Sequence, residues 1–157
     1  MGCGCHAATE IKWKRIKTHA TLPSKSTKGA ACYDAYLPEN CGLMPGEIKI
    51  IPLGFSVEVP VDYELQVRAR SGLASKGILV ANGVGCVDSD YRGEVGVILF
   101  NCSGMPVVFN TGDRICQLKL SYAPEVRWTI VDEIEETDRT GGFGSTGLND
   151  TKETAND

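Results

Sequence analysis

No apolar run in this sequence approaches the ~18 residues that a membrane-spanning helix needs, so a helical span is excluded. The opening Met1-Gly2-Cys3-Gly4-Cys5-His6 has no apolar core, so it does not read as a secretory leader. It also fails as a myristoylation signal, because His6 stands where Ser or Thr is required. Paired Cys-x-x-Cys spacing is missing. The seven cysteines, at 3, 5, 32, 41, 86, 102 and 116, are odd in number and read as free thiols. They suit a reducing compartment, the cytoplasm, with a nuclear or virus-encoded setting in a host cell as the alternative. Cys3, Cys5 and His6 lie too close together to close a tetrahedral metal site by themselves. Sustained heptads and a strong helical moment are absent too, so at most one short helix fits, near Ser71–Lys76. Basic excess is lacking. The net charge of −4 argues against a nucleic-acid partner, although a local site can be basic on an acidic protein.

What remains is a globular β-protein. The chain is 42% hydrophobic over 157 residues, too apolar for wholesale disorder and long enough for one core. Its 18 glycines favour many tight turns. From Ile11 onward apolar residues recur with a period of two. Ile11 and Trp13 alternate with lysines, Ile48 and Ile50 with Glu47 and Lys49, and Phe55, Val57 and Val59 with Ser56 and Glu58. Leu65, Val67 and Ala69 follow, then Val95–Leu99, Val107–Phe109, Ile115–Leu120 and Val126–Ile130. Turn signals separate them, including Met44-Pro45-Gly46, Val59-Pro60, Ser103-Gly104 and Asn110-Thr111-Gly112-Asp113. Many short strands at this spacing predict an antiparallel sandwich or barrel. Residues 1–10 read as a flexible tail, 11–138 as the β domain, and 139–157 as a mobile Gly-rich lid and tail. There is no internal repeat.

Four segments are unusual for a plain β domain. Arg70-Ser71-Gly72-Leu73-Ala74-Ser75-Lys76-Gly77 gathers cations, hydroxyls and backbone N–H groups around a turn, as an anion cradle would. A turn with solvated cations accounts for it equally well. Asn82-Gly83 marks a hairpin, and Gly85-Cys86-Val87-Asp88-Ser89-Asp90-Tyr91-Arg92-Gly93 follows. That stretch is too short for a calcium loop, with Arg92 at the fifth position. One carboxylate in it can act as a general base with Tyr91 as a stacking face, against the plainer reading of a turn with a half-buried ring. Gly112-Asp113-Arg114-Ile115-Cys116-Gln117 reads as a hairpin turn with Gln117 projecting from a sheet edge. Gly141-Gly142-Phe143-Gly144-Ser145-Thr146-Gly147 lacks the Gly-Lys-Ser/Thr of a Walker loop. Its lone phenylalanine suggests a lid that places a ring over a ligand.

In this order, and with Gly29-Ala30-Ala31-Cys32-Tyr33-Asp34 ahead of them, these segments resemble the five motifs of the trimeric all-β dUTP pyrophosphatases, the dUTPases. The match covers roughly residues 11–148. The resemblance implies a distorted jelly-roll or β-barrel of the dUTPase type, a homotrimer with shared active sites, Mg²⁺, and hydrolysis of dUTP to dUMP and pyrophosphate. That activity keeps uracil out of DNA and supplies dUMP. It implies no nucleic-acid and no membrane partner. By resemblance, Asp88 activates the water and Tyr91 packs on the deoxyribose. Asn82 belongs to the segment that reads uracil. Arg70, Ser71, Gly72 and Gln117 face the phosphates. Arg139, Ser145 and Thr146 grip the outer phosphates, and Phe143 covers the base. Asp34 would support Mg²⁺ through water. Two other readings compete: a dCTP deaminase of the same fold, and a non-catalytic β-barrel binding module. The first is disfavoured because no deaminating glutamate stands beside the second and third motifs unless Glu94 serves.

Overall fold

The computed structural model describes residues 9–138 and Gly141. Among them are eleven strands and one helix. The strands are β1 (Lys12–Arg15), β2 (Tyr33–Tyr36), β3 (Cys41–Leu43), β4 (Ile48–Pro52), β5 (Phe55–Glu58) and β6 (Tyr63–Arg68). After the helix α1 (Ser71–Ala74) come β7 (Ile78–Val80), β8 (Gly85–Val87), β9 (Gly96–Asn101), β10 (Val107–Phe109) and β11 (Arg114–Tyr122). They pair as β1-β5, β10-β3, β2-β11-β6-β8 and β4-β9-β7. Every ladder is antiparallel. The sheets do not close into one hydrogen-bonded barrel, and the architecture is jelly-roll-like and nearly all β, as expected.

Residues 9–125 form one unit around a single core. Phe55, Leu53, Leu43, Val95, Val97, Leu99 and Ile115 are almost wholly withdrawn from water there. Fully burying a side chain of this size is worth about 1.5–3 kcal/mol. The period-two pattern explains most of these elements. It fails in β4 and over residues 126–130. In β4 the inward residue is Ile51, while Ile48 and Ile50 are 62% and 70% exposed. Lys49 shares the Ile51 face, so the alternation of Ile48 and Ile50 with Glu47 and Lys49 pointed to the wrong face as the buried one.

The Asn82-Gly83 turn is present, with Gly83 at φ 72° and its N–H bonded to the Val80 carbonyl at 3.0 Å. It does not make a hairpin. β7 pairs with β9 and β8 with β6, so the turn carries the chain from one sheet to another. The turn at 110–113 behaves likewise, because β10 pairs with β3 and β11 lies between β2 and β6. Gln117 therefore stands on an interior strand, not on an edge.

The second unit begins at Val126. Its described residues form no helix or strand, which corrects the strand expected over Val126–Ile130. Alternation favours a strand only where a neighbouring edge supplies hydrogen bonds, and none pairs with this segment in the described residues. Trp128 and Ile130 are 90% and 98% exposed.

Candidate active site

Two groups of polar side chains gather the expected site residues. The first is built on β2 and β11. Asp34 lies directly opposite Gln117 in their ladder, and the Gln117 amide donates to Asp34 Oδ1 at 3.1 Å. Arg114 Nη1 donates to Asp34 Oδ2 at 3.3 Å. Residues 114 and 117 should face opposite sides of a regular strand. The register shifts between Arg114 and Cys116, and this bulge returns both side chains to the face that holds Asp34. Arg70 completes the group from the turn after β6. Its Nη1 donates to the Arg114 carbonyl at 2.7 Å, and its Nε lies 3.4 Å from Asp34 Oδ1 without completing a hydrogen bond. Behind them the buried Cys116 thiol is pushed up to about 12, chiefly by desolvation.

The Asp34 side chain is only 5% exposed. Both of its oxygens are engaged by cationic or amide donors, so it does not fit direct metal ligation. Among the described residues no three His, Cys, Asp or Glu side chains group as a metal site would require. Ser71 and Gly72 open α1, next to Arg70, and are exposed.

The second group lines a cleft of about 210 Å³. Asn82, Asp88 and Tyr91 contribute its polar and aromatic wall, with Val67, Cys86, Glu94 and Ile98 around them. β8 ends at Val87, so Asp88 is the first residue free of the ladder. Its carbonyl accepts the Tyr91 N–H at 3.2 Å, which turns the chain back. Cys86 sits opposite Gln66 on β6, and the nearby Glu64 carboxylate raises its thiol. Glu64 in turn is lowered by that thiol and by the Gln66 amide, which donates at 2.7 Å.

In one chain the two groups are distinct. The Asp34 group sits on β2 and β11, and the cleft is lined from β6, β8 and β9. Asp34, Arg70 and Gln117 are not among the residues lining the cleft. Arg139, Phe143, Ser145 and Thr146 lie outside the described residues. From the sequence Arg114 carried no role, Gly93 only that of a turn residue and Glu94 only a deaminase one. Their contacts depend on the bulge and on a turn whose shape the residue pattern does not reveal.

Fold and cleft together define an all-β domain of jelly-roll type, with its polar residues on bulges and inter-sheet turns. The sequence model of one family, described as dUTPase, matches residues 18–147, and the chain belongs to that family. It is 50% identical over 132 residues to a deoxyuridine 5′-triphosphate nucleotidohydrolase of Desulfotalea psychrophila, covering 82% of this chain and 88% of that one. A protein of the same name from Caulobacter vibrioides is 43% identical over 150 residues, covering 90% and 97%. Among solved structures, a Staphylococcus bacteriophage 80alpha dUTPase mutant with dUpNHpp superposes with a TM-score of 0.81 at 22% identity, over 90% of this chain and all of that one. A mutant dUTPase from phage phi11 of S. aureus, described as coordinating a structural Mg(II) ion, gives 0.74 at 22% identity, over 82% of this chain and all of that one.

Proposed function

We propose that this chain, a dUTPase by family, hydrolyses dUTP to dUMP and pyrophosphate with Asp88 as general base. The observation that carries the reading is the cleft, where Asp88 leaves the sheet beside Tyr91 and Asn82. An aspartate carboxylate is ionised at neutral pH and can take a proton from an ordered water. The water oxygen bonds to the α-phosphorus, the bond from that phosphorus to the bridging oxygen of the β-phosphate breaks, and pyrophosphate leaves. Tyr91 bears on the deoxyribose, and the turn around Asn82 reads the uracil. Mg²⁺, carried on the oxygens of the triphosphate, supplies charge neutralisation when bound; Asp34 is kept for a water-mediated contact at most. Arg70, Ser71, Gly72 and Gln117 serve the phosphate side. Arg139, Ser145 and Thr146 grip the outer phosphates and Phe143 covers the base.

The working form in this reading is a homotrimer with shared sites. The separation of the two polar groups within one chain supports a site completed by another copy. So does the apolar outer face of the β4-β9-β7 sheet. Ile48, Phe100 and Leu79 share one row there, and Ile50 and Ile98 the next. An exposed apolar row on a soluble domain marks an interaction surface.

A panel of dUTP, dCTP, dTTP and UTP with Mg²⁺ tests the activity, following pyrophosphate and ammonia. Pyrophosphate from dUTP alone is the expected result. Ammonia from dCTP would replace this reading with the deaminase, and no product from any nucleotide with the binding module.

A further inference from the structure

We propose that Gly93 and Glu94 set the sugar selectivity of the cleft by holding the Tyr91 ring in one place. The inference rests on the dUTPase reading, in which that ring bears on the deoxyribose. Tyr91 does not project freely from its turn. Its hydroxyl reaches past Gly93 and donates to the Glu94 carbonyl at 3.0 Å. The ring thus lies across the Gly93 α-carbon. A β-carbon built on Gly93 would stand 2.5 Å from Tyr91 Cζ and 3.0 Å from Cε2, closer than packed carbon atoms allow. The backbone does not ask for glycine here, because the φ of Gly93 is outside the left-handed region. Only the ring does. Among nearby glycines the contrast is Gly54, whose φ of 78° and crowding by Ala20 and Lys17 give it independent reasons.

The acceptor of the tyrosine hydroxyl is itself fixed. Glu94 Oε1 accepts the Gly54 N–H at 3.0 Å. On either side, Leu53 donates to the Val95 carbonyl at 2.9 Å and Val95 to the Phe55 carbonyl at 2.8 Å. Leu53, Phe55 and Val95 are core residues. Three hydrogen bonds therefore clamp residues 94 and 95 to the β4–β5 turn, and the Tyr91 hydroxyl is tied to that clamp. From the other side Arg92 Nη1 donates to the carbonyls of Ser89 and Tyr91, at 2.7 and 2.9 Å, which stiffens the loop that carries the ring. A ring held at both its backbone and its hydroxyl cannot retreat from an added 2′-hydroxyl. A ring displaced by a methyl group at 93 can. Gly93 acts by leaving space and Glu94 by holding the carbonyl, so both are positioning residues.

The test compares kcat/KM for dUTP and UTP in Gly93→Ala, Glu94→Ala, Glu94→Gln and Tyr91→Phe, with thermal melts alongside and a crystal structure of Gly93→Ala. The parent is measured first, so failure to prefer dUTP there counts against the dUTPase reading itself. Gly93→Ala should cut the dUTP-to-UTP ratio by about tenfold or more, the scale of one lost steric contact, with the Tyr91 hydroxyl no longer bonded to the carbonyl of 94. Glu94→Ala should shift the ratio in the same direction. Glu94→Gln, which keeps an oxygen acceptor for Gly54, should restore it, and Tyr91→Phe should loosen it. A ratio within twofold of the parent in Gly93→Ala with an unchanged melt overturns the proposal. If Gly93→Ala fails to fold, equal ratios in Glu94→Ala, Glu94→Gln and parent overturn it. A crystal structure with the ring unmoved does so independently of any activity.

Discussion

Gln117 faces Asp34 across the β2–β11 ladder, and its amide nitrogen reaches the aspartate carboxylate at 3.1 Å. The bond ties the first of the family-like segments to the fourth, 83 residues apart. With Arg114 and Arg70 on the same carboxylate, two cations are held by one buried anion. Asp34→Asn should leave Arg114 without its carboxylate partner and the Arg70 guanidinium with only the Arg114 carbonyl. A loss of about 1–3 kcal/mol of stability is expected, as for a buried group that loses a charged partner. Denaturant titration measures it, and an unchanged midpoint would mean the group is not coupled to folding.

Asp88→Asn should keep the melt and nucleotide binding and lower kcat by at least ~10²-fold, the scale of a general base. Single-turnover rates beside binding titrations separate the two. A kcat within a few-fold of the parent would move the role to Asp90 or Asp34.

Light scattering should give about three times the 16.9 kDa chain mass. Ile48→Lys places a charge in the apolar row beside Phe100 and Leu79. It should lower the mass and the activity together. A fully active monomer would end the shared-site reading.

Cys116 gives a pH dependence of known sign. Its thiol is raised from 9.0 to about 12 by burial, so the folded state holds the proton after the unfolded chain has released it. The associated stability is complete below pH 9 and is lost as pH rises toward 12. Alkaline melts should fall through that window, and Cys116→Ala should flatten the fall while lowering the melt at neutral pH. The folded protein should also resist alkylation at Cys116.

Removing residues 139–157 should leave the melt unchanged, because among the described residues every strand ends by Tyr122. It should cut kcat sharply, with Phe143→Ala a milder form, since stacking on a base is worth ~1–3 kcal/mol. Surviving activity in the truncated protein would dismiss the roles given to Arg139, Phe143, Ser145 and Thr146.

Strands whose apolar residues alternate at the buried positions were legible from the sequence. Val95, Val97 and Leu99 alternate and are all inside, as are Phe55, Val57 and Val59. β2 and β3 escaped notice because their residues show no apolar alternation: in β2 the charged Asp34 and its neighbour Ala35 are both buried, and β3 is Cys-Gly-Leu. The family segments located Asp88, Tyr91 and Asn82, and the structure brings these together in one cleft. It could not be read that Arg114 shares a face with Gln117. A bulge reverses strand parity, and only the partner strand shows where the extra residue falls. Nor did the pattern single out Ile51, because Lys49 on the same face of β4 made the Ile48 and Ile50 face look like the inner one.

The place of β11 governs how the chain can acquire its structure. This strand is the last of the β domain to be synthesised, yet it lies between β2 and β6. Until residues 114–122 emerge, β2 and β6 each present an unpaired edge, and the core residues Ile115 and Leu118 are missing. Closure then joins partners about 50 to 80 positions apart, which makes the search slow for a domain of this size. A nascent chain stalled before Arg114 is thus the form most exposed to edge-to-edge aggregation.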